Sequence, residues 1–249
     1  MQGRPPLTIH PIEDPEGLRQ AQPGPSTGSG RTGGGSARHT GADSALPVRK
    51  RKPLLLHPAA KPLLFAVCLL PFAWLFYGAF TSNLGANPAE TLIRNTGDWT
   101  LRFLCITLAV TPIRTWTKQP ALARFRRMLG LFAFFYVVLH FLSYAWLDMG
   151  FDPQAIVRDI PKRPFALVGF TAFVLMIPLA ATSFNRAIKA LGAARWQLLH
   201  RLIYVIALLG LLHFFWMRAA KTNFAEVAVY GAVLAVLLGW RLMRRWRGS

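Results

Sequence analysis

The chain has 249 residues, 53% of them hydrophobic and 12% aromatic, and combines a mean hydropathy of +0.33 with a formal net charge of +19. That combination excludes an ordinary soluble domain and fits a polytopic membrane protein, in which apolar spans raise hydropathy while Lys and Arg collect in the loops of one side. A nucleic-acid-binding protein is excluded on the same ground, because the apolar runs leave little chain to build a basic face on a soluble fold.

Residues 1–48 are rich in Gly, Pro, Ser and Thr, including "GPSTGSGRTGGGSARHTGADS". Such a segment cannot bury enough apolar surface to offset its ordering entropy and reads as a disordered tail. His10 and His39 lie in it and take no role. Residues 49–249 read as an all-α six-helix transmembrane domain. After the basic run Arg49, Lys50, Arg51 and Lys52, apolar segments follow at about 62–80, 99–116, 128–147, 165–183, 198–217 and 225–243. Each is close to the roughly 20 residues that a helix needs to cross the hydrocarbon. The first lies too far along the chain for a signal peptide and precedes five further spans. Pro71, Pro112 and Pro178 interrupt spans one, two and four, where neighbouring helices or a Ser/Thr hydroxyl satisfy the freed carbonyl. Cys68 and Cys105 stand inside apolar runs with no CxxC, CxxCH or zinc spacing, and read as small buried hydrophobes.

The segment ends divide the charges. One side carries 18 Lys and Arg, among them Arg114, Lys118, Arg124, Arg126 and Arg127; the other carries six, together with Glu90, Asp98, Asp148, Asp152, Asp159 and Glu226. This bias predicts a polytopic six-helix bundle with both termini in the cytoplasm, with anionic membrane lipid as the default partner of the basic side. Loops this short leave no room for a soluble catalytic domain.

Three histidines fall within or beside the spans: His140 in the third, His200 and His213 in the fifth. Acids are absent from the apolar middles, so the carboxylate relays of ion pumps are missing. Imidazole in hydrocarbon needs a hydrogen-bond partner, a metal or a wet cavity. At 1.5 Å per residue His140 lies roughly 10 Å, and His213 roughly 6 Å, from the outer ends of their spans, so the two share the outer half and have the placement of axial ligands to one b-type haem. The alternative is a pair of structural histidines bonded to backbone or hydroxyls, with Tyr136 and Tyr144 at i−4 and i+4 from His140. His200 is about 19.5 Å from His213 along a regular helix and near the inner surface. Its counterpart on the third span is Arg126, and it stands open between cofactor ligand and hydrogen-bonded structural residue.

The stretches "NPAETLIRNTGDWTLRFL", "TPIRTWTKQPALARFRRMLGLFAFFYVVLHFLSYAWLDMG" and "RWQLLHRLIYVIALLGLLHFFWMR" carry a resemblance over residues 62–246. In order and spacing they resemble the haem-binding membrane subunits of bacterial protein-methionine-sulfoxide reductase systems, the MsrQ (YedZ) family of the ferric-reductase-like transmembrane superfamily. The resemblance implies a multi-pass cytochrome b of the bacterial inner (plasma) membrane, using haem b and FMN, with His140, His213 and His200 as the matching cofactor-binding histidines. It implies an electron-transfer subunit rather than a catalytic one, drawing on quinol and serving a periplasmic molybdopterin-dependent methionine-sulfoxide reductase. Arg126 departs from the wider superfamily, which has a histidine there, and the chain lacks that superfamily's cytoplasmic FAD/NADPH domain. Two other functions stay in view: a ferric- or oxygen-reducing enzyme of the same superfamily, and a haem-free transporter in which the histidines relay protons.

Overall fold

The computed structural model describes residues 54–219 and 224–247. The 1–48 tail expected from composition lies outside the described residues. Among the described residues all regular structure is helical: α1 Ala60–Phe80, α2 Pro88–Trp116, α3 Arg126–Ser143, α4 Pro153–Asp159, α5 Pro164–Ala181, α6 Asn185–Leu191, α7 Ala193–His200, α8 Leu202–Ala219 and α9 Ala225–Trp246. Five helical stretches are long and apolar enough to cross a membrane: α1, residues 120–148 through α3, α5, residues 193–219 through α7 and α8, and α9.

The sixth long helix, α2, is less apolar and most deeply packed. Hydropathy places its start near Trp99, whereas the helix begins 11 residues earlier at Pro88. The reason is local: Asn87 caps it by accepting from the Glu90 amide at 3.1 Å, and Pro88 occupies the first turn, where a missing N–H costs nothing. Its added turns carry Glu90, Arg94 and Asp98, which hydropathy scores as loop but which the helix turns toward neighbours. Leu104 and Leu108 are each 2% exposed.

The tightest helix pairs are α2 with α3 and α5 with α8. These four make the centre; α1 leans on α2 and α3, and α9 on α2 and α8. Arginines inside the spans find partners, as a low-dielectric setting demands: Arg102 Nε donates to Tyr230 Oη at 3.1 Å, and Arg241 donates to the Leu108 and Leu237 carbonyls. The outward face of α1 is apolar, with Leu63, Trp74 and Phe80 well exposed, as lipid contact requires.

Two irregularities shape the bundle. After α3 the chain adds a π-helical turn, Tyr144–Asp148, and Tyr144 and Asp148 line the cavity described below. The fifth apolar segment carries a tightened turn. It begins after Gly192, whose φ of +76° suits glycine, and tightens at Arg201, which separates α7 from α8. Arg201 keeps right-handed helical dihedrals (φ −68°, ψ −20°), so His200 and His213 stay on one helical stretch, Ala193–Ala219.

Candidate functional site

The structure brings His140 and His213 together. Their ring centroids are 6.1 Å apart and their planes cross at 76°. Each ring is tied through Nδ1 to a backbone carbonyl of its own helix partner: His140 to Ile93 of α2 at 2.8 Å, His213 to Phe165 of α5 at 2.7 Å. A carbonyl only accepts, so each Nδ1 carries the proton and each Nε2 keeps its lone pair. Among the described residues no hydrogen bond reaches either Nε2.

Both rings line a cavity of about 490 Å³ between α2, α3, α5 and α8. Its walls are largely apolar, with Leu101, Phe141, Phe173 and Ile206, while one end carries Glu90, Arg94, Asp148, Arg163 and Arg218. At that end Arg94 pairs with Glu90 at 3.2 Å, Arg163 with Asp159 at 2.7 Å, and Arg218 with Glu226. An apolar slot of this size with charged groups at one rim suits a flat, mostly apolar ligand bearing polar substituents on one edge.

No cluster of three or more His, Cys, Asp or Glu side chains able to hold a metal ion occurs among the described residues. Two imidazoles alone match a metal that brings its remaining ligands in a macrocycle. The centroid distance supports this, since two imidazole–metal bonds of roughly 2 Å each place the ring centres about 6 Å apart. The residues present thus fit a haem.

The tyrosines flanking His140 bond elsewhere. Tyr136 Oη donates to the Cys68 carbonyl at 2.9 Å, and Tyr144 Oη donates to Asp159 at 2.7 Å. Of the backbone and hydroxyl partners that the sequence left open, backbone carbonyls bond both imidazoles. Sequence reading did not single out Ile93 and Phe165, since any residue supplies a carbonyl. It also missed Gly97 and Gly169, which face the two rings from α2 and α5.

His200 stands apart from the cavity. Its ring stacks on Trp196 at 3.9 Å, Nδ1 bonds the Trp196 carbonyl at 3.0 Å, and Nε2 is buried without a partner among the described residues. Arg126 reaches Thr111 Oγ1 at 3.4 Å.

A family model described as "Ferric reductase like transmembrane component" matches residues 96–211, which begin one residue before Gly97 and end two before His213. The protein-methionine-sulfoxide reductase heme-binding subunit MsrQ of Polaromonas naphthalenivorans (strain CJ2) is 74% identical over 196 residues, covering 79% of this chain and 90% of that one. The subunit of the same name from Herminiimonas arsenicoxydans is 54% identical, covering 75% and 86%, and that from Caulobacter vibrioides is 43% identical, covering 82% and 95%. No solved structure matches. Apolar helices and relatives together make this a multi-pass bacterial membrane protein with a role in electron transfer. The chain belongs to the MsrQ family, the heme-binding subunits of protein-methionine-sulfoxide reductases.

Proposed function

We propose that the chain is a six-span b-type cytochrome of the bacterial inner membrane, with both termini cytoplasmic, that holds haem b between His140 and His213 and passes electrons outward to a periplasmic molybdopterin-dependent methionine-sulfoxide reductase. The observation that carries this reading is the pair of imidazoles 6.1 Å apart, both proton-locked at Nδ1, on the wall of one apolar cavity. In it α2 is the sixth span, its lower hydropathy explained by contact with protein rather than lipid.

Each residue has a defined task. The Ile93 and Phe165 carbonyls hold the histidines in the tautomer that presents Nε2 to an iron. Two histidine ligands would leave a bound iron no open position, so it would exchange single electrons without binding a substrate. Arg94, Arg163 and Arg218 sit at the rim, where they offset carboxylates on a ligand's edge. A haem, when bound, supplies reversible one-electron chemistry. The rim shares its side of the bundle with the acids at 90, 148, 152, 159 and 226, the side that charge bias assigns to the periplasm, so electrons leave near the docking partner.

On the supply side the proposal keeps quinol as donor and FMN as second cofactor. Arg124, Arg126 and Arg127 fit a flavin phosphate: each guanidinium uses one donor on a protein oxygen, of Leu55, Thr111 and Asn185 respectively, and keeps others. The cytoplasmic residues also hold anionic lipid. His200, with its buried unpartnered Nε2, keeps the second reading as a ligand of a separate cofactor.

The test is an absorption spectrum of the purified full chain with pyridine-haemochrome and flavin analysis. A dithionite-reduced α band of b-type haem supports the carrier. A colourless preparation favours the transporter with a histidine relay, and haem reoxidised by iron chelates or oxygen without the periplasmic reductase favours the terminal enzyme.

A further inference from the structure

The same backbone device is built twice around the cavity. On α2 the Ile93 carbonyl accepts from His140 and, one turn on, Gly97 meets the imidazole; on α5 the Phe165 carbonyl accepts from His213 and, one turn on, Gly169 meets that ring. In both cases a helix offers a carbonyl at position i and a bare backbone at i+4 to a histidine of the helix packed against it. The two copies recur 72 to 73 residues apart (93 to 165, 97 to 169, 140 to 213).

The glycines are needed for space, since both stand in ordinary helical backbone. A β-carbon at Gly97 would lie 3.0 Å from His140 Cε1 and 3.1 Å from Nδ1. At Gly169 it would lie 2.7 Å from His213 Nδ1 and 2.9 Å from Cε1. Gly130 and Gly239 differ: a β-carbon at Gly130 would meet only Thr107 Cγ2, at 3.8 Å, and one at Gly239 nothing within 4 Å. Gly97 and Gly169 therefore let each ring come close against a neighbouring helix while its Nδ1–H reaches the carbonyl one turn back.

We infer that Gly97 and Gly169 are positioning residues that fix the planes of the two axial imidazoles in their crossed, 76° arrangement and thereby set the electronic state of the iron. The inference rests on the His140–His213 reading above. Its physics is general. Crossed imidazole planes donate π density into different iron d orbitals and leave them nearly degenerate, whereas parallel planes split them. The ferric low-spin signal is then highly anisotropic with a large maximal g value, not rhombic. An added methyl group has to turn the ring or push it away, breaking the Nδ1–H bond that makes the imidazole a better donor to the iron. A poorer donor stabilises the ferric state less, so the reduction potential rises.

The experiment is EPR of the oxidised full-length protein in detergent, with a redox titration, on the wild type, Gly97→Ala and Gly169→Ala, and on Gly130→Ala and Gly239→Ala as controls. The wild type is expected to show the highly anisotropic low-spin signal. Gly97→Ala is expected to move it toward the rhombic type with a higher potential, and Gly169→Ala, with the shorter contact, to shift further or convert part of the haem to high spin; the controls keep the wild-type signal. A rhombic wild-type signal, glycine variants with unchanged signal and potential, or controls that shift equally would each overturn the inference. If Gly169→Ala does not give monodisperse protein, the milder Gly97→Ala decides. Haem retained in low-spin form by both His140→Ala and His213→Ala would instead bring down the site itself, a failure that the glycine series cannot mimic.

Discussion

The Tyr136 hydroxyl enters the hydrogen-bond ladder of α1, donating to the Cys68 carbonyl at 2.9 Å while accepting from the Phe72 amide at 3.0 Å. A regular helix would pair those two backbone groups directly; here a side chain from α3 stands between them, beside Pro71, which brings no amide of its own.

Tyr136→Phe leaves both backbone groups to find each other across that gap. Tyr136 is fully buried, so the variant is expected to lose about 1–2 kcal/mol of stability, read as a lower unfolding midpoint in detergent. Tyr144→Phe, whose hydroxyl bonds Asp159 nearer the surface, is expected to lose less.

His200→Ala is expected to leave the cavity's haem low-spin and its imidazole signal unchanged, because His200 does not line that cavity. Haem content and EPR of the purified variant check this. Loss of the low-spin signal would show that His200 serves the same iron.

The rim ion pair predicts opposite shifts in reduction potential. Arg218 lines the cavity and pairs with Glu226, which faces outward. A positive charge near the iron favours the reduced state, so Arg218→Gln is expected to lower the potential and Glu226→Gln to raise it, each by the equivalent of about 1 kcal/mol or less given solvent screening at the rim. A redox titration of both variants reads the two signs.

Much of this architecture was legible from residue type. The apolar segments at 62–80, 128–147, 165–183 and 225–243 lie on α1, α3, α5 and α9 with small changes at their ends, because lipid selects the side chains themselves. The first turns of α2 were not legible, since Glu90, Arg94 and Asp98 face protein and cavity rather than lipid. Nor was the tightening at Arg201, which no Pro or Gly marks. At the site the histidines announced themselves as ionisable groups in apolar runs. The carbonyls of Ile93 and Phe165 did not, because every residue has one; only packing shows which carbonyl an imidazole reaches. Gly97 and Gly169 had a weak signal at most, as glycines within otherwise helical stretches.

The central claim is that His140 and His213 together hold one haem. Haem content and the low-spin spectrum of His140→Ala and His213→Ala, each purified beside the wild type and His200→Ala, test it most directly. The expected result is that either of the first two substitutions abolishes haem retention or leaves a five-coordinate iron, while His200→Ala keeps the low-spin cavity haem. Wild-type haem content with an unchanged low-spin spectrum in both His140→Ala and His213→Ala would contradict it.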